Sequence, residues 1–179
     1  FIKLLGFLGG TIILSTFCFF DDIKGIHPLV KLTGQLLAAI IVVACGIRIE
    51  NFNLPFFEGN IILSNAFSII LTIGWIVGVT NAINLIDGLD GLSSGIAIIS
   101  SISLLMIFAL NGSPLIAIIM ITALVGALAG FLPFNFNPAK TFMGDTGSNF
   151  LGYALSIISI MGTAKTYTLL VLIAPLIVF

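Results

Sequence analysis

Apolar residues fill long runs along this chain, and polar residues fall in short blocks between them. The runs cover residues 1–20, about 28–47, 61–86, 92–110, 115–133 and 148–162, with a last one starting near Tyr167. A helix needs about 20 mainly apolar residues to span a bilayer. Helices also satisfy their own backbone groups there. The pattern therefore predicts an all-α, polytopic transmembrane helix bundle of about seven spans. Residues 48–60 break it by partly alternating apolar and polar positions. They predict a short external hairpin or extended segment. Pro28 suits the first turn of the second helix, and Asn111-Gly112-Ser113-Pro114 predicts a tight turn. Gly126 and Gly130 share a helical face, which suits close helix packing.

Composition agrees with the pattern. The 179 residues are 59% hydrophobic and 7% charged, against about 25% charged in a soluble domain. Phe1 is not an initiator Met, and residues 169–179 end inside an apolar run. The expectation is one transmembrane domain over residues 1–179, internal to a longer chain and truncated at both ends. Residues 1–20 lack a basic leader and a small-residue cleavage site, so they read as a span rather than a signal peptide. Cys18 and Cys45 lie inside apolar runs and read as packing residues. No Walker A sequence, Cys/His metal spacing, Gly-x-Ser-x-Gly or nucleic-acid signature is present. The net charge of −1 says nothing about partners.

Charge placement adds more. Two crossings separate Asp21-Asp22 from Asp87, and two more separate Asp90 from Asp145. These three acidic stretches, with five of the seven carboxylates, therefore emerge on one membrane face, while Glu50 and Glu58 emerge on the other. Basic residues divide evenly and do not orient the chain.

The stretch from Thr80 to Gly95 organises the rest. Asn81, Asn84 and Asp87 recur every third residue, so a helix puts them on one side. Gly88 and Gly91 let the backbone leave the helix, and Asp90 lies just past the break. Asp21-Asp22 is a pair of adjacent like charges that calls for a shared proton, a cation or a donor; a solvated helix end is the alternative. Lys31 lies in the first turn of a helix, where a cation opposes the dipole by about 0.3–1 kcal/mol. A docked phosphate would reverse that sign; snorkelling is the alternative. Gln35 lies one turn on. His27, the one histidine, reads as part of the turn before Pro28. Gly144-Asp145-Thr146-Gly147-Ser148 is a glycine-flanked helix entrance, with Asp145 or Thr146 as N-cap. Its free N–H groups suit an anion, and its carboxylate suits a divalent cation with substrate phosphates; a plain capping turn is the alternative.

Taken together, three pieces resemble the polyprenyl-phosphate N-acetylhexosamine-1-phosphate transferases of glycosyltransferase family 4 type. They are Asp21-Asp22 with Lys31-x-x-x-Gln35, Asn81-Ala-x-Asn84-Leu-x-Asp87-Gly-Leu-Asp90-Gly, and Pro138-Ala-Lys-x-Phe-Met-Gly144-Asp145-Thr-Gly-Ser148. The resemblance implies a Mg²⁺-dependent enzyme, with Mn²⁺ as a substitute ion. A polyprenyl phosphate attacks the β-phosphorus of a UDP-aminosugar and UMP leaves. By motif match, Asp145 and Asn84 would lie at the metal and diphosphate. Lys31, Asn81, Asn84, Gly88, Leu89 and Asp90 would bind substrate, with Asp90 and the Gly88-Leu89 backbone reading the uracil. Asp21, Asp22 and Asp87 would be catalytic, with Asp21 as base in one view. A phosphate monoester has a second pKa of about 6, so positioning and charge neutralisation should carry most of the rate.

Asn135-Phe-Asn-Pro-Ala-Lys140 and the Leu54-Pro-Phe segment look like the enzyme that starts wall teichoic acid. That implies UDP-N-acetylglucosamine and undecaprenyl phosphate as substrates, in a bacterial plasma membrane with the site facing the cytoplasm. A homodimer is the assembly considered, and nucleic acid is not a partner. The alternative within the family is the phospho-N-acetylmuramoyl-pentapeptide transferase of peptidoglycan synthesis. The alternative of another class is a cation-coupled transporter, which needs acids at mid-span rather than at span ends.

Overall fold

The computed structural model of the chain describes residues 1–53 and 60–162. It is a helix bundle. In order come α1 (Ile2–Lys24), α2 (Pro28–Ala44), β1 (Asn51–Asn53), β2 (Asn60–Ile62), α3 (Asn65–Ile86), α4 (Leu92–Asn111), α5 (Leu115–Asn135) and α6 (Gly144–Gly162). Strands β1 and β2 pair antiparallel, Asn51 opposite Ile62 and Asn53 opposite Asn60, as the alternation at 48–60 predicts. The Leu54-Pro-Phe segment and the apolar run from Tyr167 lie outside the described residues.

Among the described residues, four helices are long and apolar enough to cross a membrane: α1, α3, α4 and α5. Helix α2 is apolar but shorter, at 17 residues. The described residues therefore do not by themselves confirm about seven spans. Helix α6 differs in kind. From Ser148 to Gly162 every residue but the half-buried Phe150 is buried, because α3, α1, α5 and α4 surround the helix. A helix enclosed by protein needs no lipid-facing apolar surface, so it can carry Ser148, Asn149, Ser156 and Ser159 in its buried length. The Ser156 and Ser159 hydroxyls donate to carbonyls three residues back. Close approach comes from small residues: a Cβ at Gly152 would lie 2.6 Å from Thr80 Cα. Tyr153 stacks on Phe7, with ring centroids 5.7 Å apart, and its hydroxyl donates to the Phe7 carbonyl.

Two expectations from the sequence change here. Helix α1 does not stop before the acidic pair but runs through Asp21 and Asp22 to Lys24, and Gly25 at φ 62° closes it. The loop is thus only residues 25–27. Gly126 and Gly130 do not serve close packing: a Cβ at either would meet nothing within 4 Å. The faces of α5 that bury are those of Ala117, Ile121, Leu124 and Leu128.

Candidate active site

Every acidic stretch of the described chain except Glu50 gathers at one end of the bundle, as the crossing count predicts. Pro28 is the first residue of α2, and His27 caps it by accepting from Leu29 N–H through Nδ1. His27 thus serves the turn. One helical turn in from that end, Lys31 projects toward α3 and α6. Its Nζ lies 2.7 Å from Asp145 Oδ2, 3.2 Å from Asp21 Oδ2 and 3.3 Å from Asn84 Oδ1. The dipole cost of a cation at a helix start is therefore offset by two carboxylates from other helices, which excludes snorkelling.

Asn84 orients the centre. Its Nδ2 donates to Asp145 Oδ1 at 2.7 Å and to Ser148 Oγ at 2.8 Å. Asp21 uses its second oxygen locally, accepting from Ile26 N–H, which ties the α1–α2 turn to the Lys31 pair. Asp22 does something the sequence does not reveal. Its Oδ1 accepts from Asp145 N–H at 2.8 Å, and its Oδ2 accepts from Thr146 N–H at 3.1 Å and Thr146 Oγ1 at 2.6 Å. Neither Asp145 nor Thr146 is the N-cap: α6 begins at Gly144, and its exposed amides are satisfied by a carboxylate from α1. The anion at this helix start is the protein's own.

A second polar layer lies one turn deeper. Gln35 Nε2 donates to Asn149 Oδ1 at 2.8 Å and to Asn81 Oδ1 at 3.3 Å. Asn81 Nδ2 returns a bond to Gln35 Oε1 at 2.7 Å. Asn81 thus belongs to a network that joins α2, α3 and α6 beneath the centre. Asn149 was missed by sequence reasoning, although its spacing of four from Asp145 was a usable signal.

A cleft of about 340 Å³ opens beside this centre, lined by Asp22, Asn84, Asp87 to Asp90, Asn135, Phe142, Met143, Gly144 and Asp145. Asp87 follows α3 as its C-cap, and Gly91 at φ 74° starts α4, so the backbone between them curls around the cleft. Ser93 donates its hydroxyl to Asp87 Oδ1. Burial nonetheless pushes the Asp87 carboxyl above its ordinary 3.8, and the negative charge of Asp145 adds to this, while the Ser93 bond opposes it. Asp90 Oδ2 accepts from Asn137 Nδ2 and Ala139 N–H, both at 3.1 Å, and so holds the 136–140 loop over the cleft. Asn135 is a second residue missed by spacing arguments. It is buried, accepts from Ser94 Oγ at 2.7 Å and donates to the Thr141 carbonyl. Lys31, Asp21 and Asn81 do not line the cleft; they stand behind Asn84 and Asp145.

Among the described residues no three His, Cys, Asp or Glu side chains converge as a ready-made metal cage. That donor set still fits Mg²⁺, which commonly takes one or two carboxylates and completes its shell with substrate phosphates and water. Four carboxylates line the cleft, Asp22, Asp87, Asp90 and Asp145. Asp22 and Asp90 are engaged by backbone N–H groups, which leaves Asp87 and Asp145, the latter with 37% side-chain exposure, for a cation.

The chain is similar in sequence to known proteins. The chain is 41% identical over 169 residues to a Bacillus subtilis protein named "Probable undecaprenyl-phosphate N-acetylglucosaminyl 1-phosphate transferase", a match that covers 94% of this chain and 47% of that one. It is 38% identical over 148 residues to the decaprenyl-phosphate N-acetylglucosaminephosphotransferase of Mycobacterium tuberculosis, covering 78% of this chain and 36% of the relative. It is 48% identical over 122 residues to the phospho-N-acetylmuramoyl-pentapeptide-transferase of Staphylococcus haemolyticus, covering 68% and 37%. The chain thus spans about half the length, or less, of these relatives. Residues 4–163, which hold the whole polar centre, match the family profile described as "Glycosyl transferase family 4", and the chain belongs to that family.

Proposed function

We propose that this chain is the catalytic core of a membrane enzyme that transfers N-acetylglucosamine 1-phosphate from UDP-N-acetylglucosamine to undecaprenyl phosphate. One observation carries the reading: a lysine, an asparagine and two carboxylates from four helices meet at one end of an apolar bundle, and two of them, Asn84 and Asp145, form part of the wall of a cleft. That is where an amphiphilic acceptor and a water-soluble nucleotide sugar can meet. Acids in mid-span would have suited a cation path, whereas these lie at helix ends.

In the reaction, an oxygen of the acceptor phosphate forms a bond to the β-phosphorus of the UDP-sugar. The bond from that phosphorus to the bridging oxygen breaks, and UMP departs with the electron pair. The acceptor phosphate is largely dianionic near neutrality, since its second pKa is about 6. Catalysis is then mainly positioning and neutralisation of charge. Asp145 and Asp87 would hold Mg²⁺, which would neutralise charge on the diphosphate when bound. Asn84 keeps Asp145 aimed at the cleft through its 2.7 Å bond, and could add its carbonyl to the metal shell by rotating off Lys31. Lys31 neutralises Asp145 before substrate arrives and becomes available to a phosphate oxygen afterwards. Asp22 acts through α6, whose first turn it caps. Asp90, Gly88 and Leu89 line the far wall of the cleft, where a uracil would be read. The site faces the cytoplasm, where nucleotide sugars are made available, and the product feeds a cell-wall glycopolymer such as teichoic acid.

The 48% identity over the shorter staphylococcal match favours a second reading, with UDP-N-acetylmuramoyl-pentapeptide as donor. One assay separates them. Full-length protein in detergent with Mg²⁺ and undecaprenyl phosphate is given each nucleotide sugar in turn, and UMP release and the lipid product are measured. Turnover with UDP-N-acetylglucosamine alone supports the first reading. Turnover only with the pentapeptide donor replaces it, and no UMP from either sinks both.

A further inference from the structure

The other end of the bundle carries a site outside the reading above and independent of it. Helix α2 ends at Ala44, and Gly46 at φ 83° turns the chain. The next three residues alternate: Ile47 and Ile49 are buried, at 1% and 2% exposure, while Arg48 between them is half-buried. Their backbone is held firmly. Ile47 N–H donates to the Val42 carbonyl. Ile49 N–H donates to Thr72 Oγ1 at 3.0 Å, and its carbonyl accepts from Ser68 Oγ at 2.7 Å, both on α3. Arg48 is thus fixed between α2 and α3 at the membrane face opposite the polar cleft.

Its guanidinium is only partly used. Nη1 donates to Asn65 Oδ1 at 2.6 Å. Nε is buried without a hydrogen-bond partner, and among the described residues Arg48 forms no ion pair. A buried guanidinium N–H is costly to leave unmade, so the group calls for an acceptor, and the planar fork suits a phosphate bound by two N–H groups. Beside it runs an apolar groove of about 310 Å³ between the helices, lined by Ile40, Val43, Ala44, Ile69 and Ile73 with Arg48 itself. Ile40, which lines the groove, is 49% exposed.

We infer that Arg48 and the α2–α3 groove form a binding site for one anionic glycerophospholipid, with its phosphate on the guanidinium and an acyl chain along the groove. The charge of Arg48 complements the head group, and the isoleucines complement the chain. Neither half suffices for a water-soluble anion or for a neutral apolar molecule.

The test uses full-length protein in detergent, stripped of lipid, and titrated with dioctanoyl-phosphatidylglycerol while bound lipid is counted by native mass spectrometry. Wild type should take up one saturable lipid. Arg48→Gln should weaken that binding at least tenfold. Ile73→Trp, which fills the groove and leaves the Arg48–Asn65 bond in place, should weaken it as much and guards against a misfolded Arg48 variant. Inorganic phosphate alone should bind at least a hundredfold more weakly than the lipid. Equal lipid affinity in wild type and either variant, or phosphate binding as tightly as lipid, overturns the inference.

Discussion

The Asp22 carboxylate caps the helix that carries Asp145: its Oδ1 accepts from the Asp145 backbone N–H at 2.8 Å across 123 positions of sequence. The cap links α1 to α6 and sets where the Asp145 side chain points. An N-cap contributes about 0.5–2 kcal/mol. Asp22→Ala should therefore lower the melting temperature of the detergent-solubilised protein and cut activity. Asp22→Asn, with one acceptor oxygen left, should melt between the two. An unchanged melting temperature in Asp22→Ala would show that the cap carries no stability.

Lys31 compensates two carboxylates at once. Lys31→Met leaves Asp21 and Asp145 as neighbouring uncompensated charges, so it should lose stability as well as activity. Removing a group that stabilises charge at a reacting centre commonly costs 10²–10³-fold in rate, and kcat/KM should fall by about that much. A variant with wild-type kcat/KM returns Lys31 to a structural part.

Asp145→Asn keeps an acceptor for Asn84 and removes the charge that a hard cation requires. Its expected loss is at least about a hundredfold at low Mg²⁺, with partial recovery in excess metal. Initial rates against Mg²⁺ concentration check this. Coincident curves for wild type and variant would move the metal site to other carboxylates of the cleft.

Asp87 ties stability to pH. Its carboxyl is held above the ordinary value in the folded protein, mainly by burial, so the folded state binds that proton more tightly than the unfolded chain. The resulting penalty is absent below the ordinary carboxylate pKa. It grows as pH rises through the raised folded value and is complete above it. In metal-free protein, Asp87→Asn should melt higher than wild type at pH 7, and the difference should close on acidification. A difference that stays constant with pH would refute this cause.

Gly152 reports on the packing that holds the site together. A Cβ there would lie 2.6 Å from Thr80 Cα and 2.9 Å from the Val79 carbonyl, and backbone cannot step aside as a side chain can. Gly152→Ala should destabilise by about 1–3 kcal/mol, the usual range for overpacking. Thermal melts of Gly152→Ala and of Gly126→Ala separate packing from helix propensity. A Cβ at Gly126 meets nothing within 4 Å, so that variant should be neutral or slightly stabilising.

The sequence by itself determined the helices, the face on which the acids gather and most members of the centre. Apolar runs set span ends to within a few residues because transfer into hydrocarbon depends on local composition. The crossing count then placed Asp21, Asp22, Asp87, Asp90 and Asp145 together with no tertiary information. Periodicity likewise put Asn81 and Asn84 on one side of α3. What it left undecided was each residue's task, because a task depends on partners from other helices. Lys31 looked like a dipole conflict until Asp21 and Asp145 met it. Thr146 looked like a cap until Asp22 took that place. Asn81 read as a substrate-binding residue, and the structure adds that its amide is held by Gln35, which in turn donates to Asn149. Only tertiary structure could identify α6 as the enclosed helix, since an apolar run reads the same whether lipid or protein surrounds it. Its serines and Gly152 fit because α1 and α3 stand close on either side.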